Sequence, residues 1–426
     1  MMAFEVKPQC KYGANCYRKN PDHLEKFSHH DSLKRPNMIE EDEENDELNP
    51  STKKSRLENE FTLDDFPDES PLLELSVEEE DYLQMFHQED KDEDPSTPEG
   101  LDMREELKLK FKVEMPQDLF DFWEFCCNLN TMDPTQALVP TLGLQLVGPY
   151  DVISGKFRKH KGKNKPCYVL HWRYFYDPPE FQTVMMKSDS TLHHLGYYRD
   201  DPKELPAFVG VNYANMNGVI RQQGDNLFAA VKLHINKLLR SIKDADAIVE
   251  IQRVDHALTE WAQVLGYALT AESPKLKERN KRVVTKSFHG AGLVVPVHGD
   301  VGYRELPESD ANLKKIFKKI AEAKTDEERT AYFEPLQEIM TYVQFANDEC
   351  DYGEGYELGI DMFSYGDPIF HKAITNVLPL AYHLLDRSEF AEILELHLSD
   401  RRHTDLSQLV LVEKSEETEE NSPGLL

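Results

Sequence analysis

The chain has no run of about 18 apolar residues, so no segment of it reads as a membrane-spanning helix. Met1 to Lys7 carries no apolar core of the kind a secretory signal needs. Cysteine is scarce. Cys10, Cys16, Cys126, Cys127, Cys167 and Cys350 are too few for a disulfide scaffold and point to a reducing compartment. Basic residues are outnumbered, 49 Lys and Arg against 79 Asp and Glu. A net charge of -30 argues against a dedicated binder of phosphate backbones. It leaves room for a local basic patch or a basic partner. No internal repeat is present.

The acids are concentrated. Residues 31–100 hold 25 acids and 6 bases, a net of -19 within the total of -30. Residues 32–100 are also rich in Ser, Pro and Asn and read as a disordered acidic linker, because they cannot bury enough apolar surface. Two apolar islands interrupt it, Leu72–Leu75 and Tyr82–Phe86. Their bland reading is residual linker hydrophobicity; the sharper one is a segment that folds on a partner. Lys53-Lys54-Ser55-Arg56 is a short candidate nuclear-import patch. Before the linker lies a Cys/His module, residues 7–31. After it comes a body of globular composition, followed by an acidic tail, 411–426.

The body reads as an α+β or mixed α/β fold. Its size predicts two packed subdomains, 101–250 and 251–410, with a boundary near 245–285. Apolar spacing predicts helices over Leu119–Cys126, Leu227–Ile242, Leu313–Ala323, Glu327–Phe345 and much of His371–Leu398, the last kinked or split by Pro379. Strands are predicted at Gly143–Gly148, Tyr168–Tyr174 and Val294–Val297. Lys156, Arg158, Lys159, Lys161, Lys163 and Lys165 make a basic loop, read as solvated, with DNA, chromatin or polymer contact as the alternative.

Two constellations carry chemistry. Cys10, Cys16, His23 and His29 follow the spacing C-x5-C-x6-H-x5-H, a set suited to tetrahedral Zn2+, with His30 as an alternative to His29. So short a segment has almost no core, and metal binding would drive its folding. The second is Asn347-Asp348-Glu349-Cys350-Asp351-Tyr352-Gly353. Its three carboxylates directly follow a predicted helix, at the negative end of the helix dipole. Acids accepted at that cost suggest chemistry or a partner. In isolation the same stretch reads as a solvated loop.

The Cys/His module, with Tyr12-Gly13 between the cysteines and Tyr17-Arg18 after the second, resembles the PBZ finger, a poly(ADP-ribose)-binding zinc finger. That resemblance implies that Tyr12, Tyr17 and Arg18 contact the adenine and phosphates of ADP-ribose. Aromatic faces stack on purines and guanidinium pairs with pyrophosphate; the bland alternative for the tyrosines is packing around the zinc.

The body resembles the histone PARylation factor family over roughly residues 105–400. The stretches that carry the likeness are Leu144–Asp151, His171-Trp172-Arg173, Tyr176–Thr183, Phe288–Val297, Asp300–Pro307 and Phe345–Gly353. The finger and the long acidic linker depart from the vertebrate form of that family. The resemblance implies an accessory factor that docks on the catalytic domain of a DNA-damage poly(ADP-ribose) polymerase. The joint active site then directs ADP-ribosylation to serine on histones and on the polymerase, in the nucleus at damaged chromatin. It further implies that Glu349 is the catalytic base, that Tyr303 and Arg304 support docking, and that Asp348 contacts the polymerase.

Elementary chemistry is consistent with those roles. A serine hydroxyl needs a positioned carboxylate to take its proton. Arg304 would pair with Glu349 and favour its charged form, and Tyr303 would pack at the docking edge. Asp351 has no assigned role beyond drawing basic substrates. His289 and Cys350 read as structural. The body has no Gly-rich dinucleotide fingerprint, so NAD+ is expected to be bound mainly by the partner, and the chain is not expected to be an enzyme alone. The competing class is a non-catalytic poly(ADP-ribose)-binding adaptor in DNA repair.

Overall fold

The computed structural model describes residues 101–155 and 167–409. The Cys/His module, the acidic linker with its apolar islands and import patch, the basic loop 156–165 and the tail 411–426 lie outside the described residues. The body begins with helices α1 (Met103–Phe111) and α2 (Gln117–Leu129), then a short α3 (Val139–Leu142), strand β1 (Leu144–Leu146) and a one-turn α4 (Pro149–Ile153). Strands β2 (Phe181–Lys187), β3 (His193–Tyr198), β4 (Phe208–Tyr213) and β5 (Arg221–Gln222) follow. With β1 they form an antiparallel sheet in the order β1-β2-β3-β4-β5.

Helix α5 (Leu227–Ser241) starts where the Asn226 side chain accepts the Ala229 N–H, and it buries Leu227, Phe228, Val231 and Ile235. Helices α6 (Ala245–Leu265) and α7 (Pro274–Lys281) occupy most of the region expected to hold the subdomain boundary. A two-stranded ribbon, β6 (Val283–Thr285) with β7 (Leu293–Val294), leads to the helical second half. That half comprises α8 (Asp310–Glu322), α9 (Asp326–Asp348), α10 (Tyr352–Tyr365), α11 (His371–Leu384) and α12 (Ser388–Ser399). Ser309 and Thr325 cap α8 and α9 through their hydroxyls.

Helix α10 is buried from Gly353 through Phe363. It lies against α11 at Gly359, where a methyl group would come within 2.7 Å of Leu378 Cβ. One hydrophobic cluster runs from Leu107 to Leu409, so the two expected halves share a core. No helix among the described residues is long and apolar enough to cross a membrane.

Three expectations are corrected. Tyr168–Tyr174 is a series of turns, not a strand. Trp172 has a left-handed φ of 57°, and the buried Arg173 guanidinium donates to the carbonyls of Val169, Pro178 and Phe181, a compact arrangement that an extended strand cannot make. Pro379 neither ends nor splits its helix. The interruption falls at Leu385–Arg387, where Asp386 takes φ 59° and Arg387 N–H reaches back to the Tyr382 carbonyl. Helix α9 does not stop at Phe345 but runs on through Asp348, so the acid stretch straddles a helix end.

Candidate functional site

The site is a junction between two helices and one extended segment. Helix α9 ends in a Schellman turn: Asp351 N–H bonds the Ala346 carbonyl at 2.8 Å and Cys350 N–H bonds that of Asn347 at 3.0 Å. The left-handed residue that this turn requires is Cys350, at φ 63°, where glycine is usual. Glu349 is therefore the capping residue of α9, and α10 begins three residues later. The negative end of one helix thus meets the positive end of the next, and Asp351 stands at the favourable N-terminal side of α10.

The segment Val301–Arg304 is clipped onto this junction. Gly302 N–H donates to Asp351 Oδ1 at 2.9 Å, and Gly353 N–H donates to the Gly302 carbonyl at the same distance. Gly302 has φ 126°, and a methyl there would overlap the Pro296 carbonyl oxygen. Only glycine brings this backbone so close.

The clip delivers Arg304. Its guanidinium is buried and ion-paired with Glu349, and it donates to Asp351 Oδ2 at 3.0 Å. Arg304 Nε lies 3.9 Å from Glu354 Oε2. Glu349 keeps 12% of its side chain exposed, whereas Asp351 and Glu354 keep 1% each. Of the three acids around Arg304, Glu349 is the one that faces outward. Asp348, on the last turn of α9, is exposed beside it.

Behind this pair lies a set of buried acids on one face of α10. Glu354 is pushed up to about 8, chiefly by burial, with Arg304 opposing and Asp351 and Glu357 adding to the shift. Neither Glu354 oxygen has a hydrogen-bond partner among the described residues. Glu357 accepts the Thr285 hydroxyl at 2.7 Å and the Tyr303 hydroxyl at 2.9 Å, and burial raises it as well. Asp361 accepts from the Ser287 hydroxyl and from Phe288 N–H, and burial pushes it up to about 8 against those bonds. Carboxylate oxygens of Asp310, Glu357 and Asp361 lie within 4.8 Å of one another.

The structure brings Glu349 and Arg304 together as the sequence suggested. Tyr303 is half-buried, and its hydroxyl is directed inward to Glu357. Asp351 is corrected: it is buried and anchors the clip, so it does not face a substrate. Glu354, Glu357 and Asp361 were missed; their i, i+3, i+7 spacing marks one helix face, and a reading from sequence alone would place that face in solvent. His289 is fully buried, accepts the Ala291 N–H at Nδ1, and is held down to about 3 by burial and by Arg279. Cys10, Cys16, His23, His29, Tyr12, Tyr17 and Arg18 lie outside the described residues.

Residues 102–401 match the family model described as Histone PARylation factor 1, and residues 7–32 match that of the PBZ domain. Among curated relatives, Histone PARylation factor 1 of Mus musculus is 52% identical over 312 residues, covering 72% of this chain and 89% of the relative. That of Danio rerio is 52% identical over 321 residues, covering 75% and 91%. A Homo sapiens relative, putative histone PARylation factor 1-like, is 49% identical over 308 residues, covering 72% and 89%.

Proposed function

The chain belongs to the histone PARylation factor 1 family, and from that membership we propose that it is an accessory factor with no activity of its own, completing the active site of a poly(ADP-ribose) polymerase. It docks on the polymerase's catalytic domain in the nucleus, at damaged chromatin. The joint site passes ADP-ribose to serine on histones and on the polymerase, with NAD+ as a substrate held mainly by the partner.

The observation that carries this reading is the Arg304–Glu349 pair, in which a buried guanidinium holds an outward-facing carboxylate in one orientation. A serine hydroxyl is a weak nucleophile at neutral pH. Glu349 accepts its proton as serine Oγ bonds to the anomeric carbon and the bond from that carbon to nicotinamide breaks. Asp351 accepts from the same Arg304 Nη2 that pairs with Glu349 and so helps to fix it, and exposed Asp348 is the proposed contact with a docked polymerase.

The finger is a separable reader. Cys10, Cys16, His23 and His29 would hold Zn2+, which supplies the fold of a segment with little core. Tyr12, Tyr17 and Arg18 then bind ADP-ribose units by stacking and by pairing with phosphate.

Incubating the full chain with NAD+ and histone, alone and with a polymerase catalytic domain, tests this function. Serine-linked product is expected only with both proteins present. Turnover by the chain alone would replace the accessory reading with an autonomous enzyme. No change in product when the chain is added would favour the adaptor reading. Cys16→Ala is expected to abolish polymer binding and leave the joint reaction largely intact.

A further inference from the structure

A second cleft lies between the sheet and α5, remote in sequence from Glu349. It is a cavity of about 100 Å3 whose polar lining comprises His193, Tyr213, Arg221, Gln223, His234 and Lys237. No Asp or Glu lines it, although the chain as a whole carries a net charge of -30.

The parts are placed by the sheet and the helix together. His193 pairs with Tyr213 across β3 and β4, with ring centroids 4.8 Å apart. His234, from α5, stacks on His193 with centroids 5.5 Å apart. Lys237, one turn further along α5, donates to the Tyr213 hydroxyl at 2.7 Å, and Arg221 is exposed at the start of β5. His234 Nε2 donates to the Leu142 carbonyl at 3.0 Å.

His193 is the most buried polar residue of the lining. It is 6% exposed, and its Nδ1 is buried without a hydrogen-bond partner among the described residues. Such a nitrogen costs free energy unless something meets it. Burial and the neighbouring His234, His194 and Lys237 hold His193 down to about 3, with Asp189 opposing. Burial also lowers His234, with Lys187 and Lys237 adding to the effect. Groups that repel one another's positive charge all attract an anion placed between them.

We propose that this cleft binds one phosphate group, held by Arg221 and Lys237 beside the His193 and His234 rings of the cleft wall. Its volume suits a single tetrahedral oxyanion, so the remainder of any larger ligand would project into solvent. Guanidinium and ammonium groups are the side chains best suited to phosphate oxygens. The proposal does not depend on the role of Glu349.

The test uses the full chain with labelled histidines, titrated with inorganic phosphate and separately with ADP-ribose at fixed ionic strength. Saturable shifts of the His193 and His234 resonances are expected. The two affinities distinguish the sources: comparable values indicate the phosphate group of a larger ligand, and phosphate alone indicates the free ion. Arg221→Gln combined with Lys237→Gln changes two exposed side chains and is expected to weaken binding at least ~10-fold. Absence of a saturable shift with both ligands, equal shifts with chloride, or saturation unchanged in the double variant would overturn the proposal.

Discussion

Arg304 and Glu349 are ion-paired at the point where helix α9 stops, and the pair is shared with Asp351 on the other side of a left-handed Cys350. Three acids at the end of a helix look unfavourable when only that helix is considered. Arg304 and the start of α10 supply the missing positive potential. Glu349 can then be outward-facing and still fixed, as a general base requires.

Removing Arg304 should be costly. Arg304→Ala leaves Asp351 buried without its cationic partner, and loss of one member of a buried pair costs about 3–5 kcal/mol. Arg304→Lys should recover only part of that, because the shorter, more strongly hydrated ammonium is costlier to bury beside the two carboxylates. Urea unfolding measures both. An Arg304→Ala midpoint matching the native chain would show that the pair does not hold the junction.

Gly302 should tolerate no side chain. Its φ of 126° and the Pro296 carbonyl both oppose a methyl group, so Gly302→Ala should destabilise by about 3 kcal/mol. The same change should shift Arg304 and weaken the joint reaction without touching a charged residue. Thermal unfolding and the reconstituted reaction with polymerase, NAD+ and histone read the two effects. Unchanged values in both would separate the clip from the site.

Stability should fall as pH rises above about 6.5. Glu354 titrates near 8 in the folded chain and near its ordinary value of 4.5 when unfolded, so between those values the folded state holds the extra proton. Unfolding free energy therefore declines across about pH 6.5 to 8, above the range in which His193 and His289, held down to about 3 in the fold, act in the opposite direction. Asp361, also near 8, and Asp118, near 6, act in the same direction. Glu354→Gln should flatten part of that decline. A parallel slope in the variant would show that Glu354 is already ionised in the fold.

The long amphipathic helices were legible because their spacing and caps are local. Leu227 to Ile242 ends within one residue of α5. Tyr168–Tyr174 misled because its apolar residues alternate as in a strand, while the structure is set by bonds from Arg173 to Phe181 and other carbonyls further along the chain. Within the site, Glu349 and Arg304 were legible through family resemblance. The Arg304–Asp351 bond spans 47 residues, and no local pattern encodes it. The acids of α10 were hidden for a similar reason, since the groups that meet them, Thr285, Ser287, Tyr303 and Arg304, are distant in the sequence.

The most direct test is Glu349→Gln in a reconstituted reaction with polymerase, NAD+ and histone, with polymerase binding measured in parallel. Gln keeps the size of the side chain but cannot take a proton. Serine-linked ADP-ribose should form ~100-fold or more slowly, in the range expected for a lost general base, while binding stays within about twofold. Serine modification at the native rate by a variant that still binds would contradict the account.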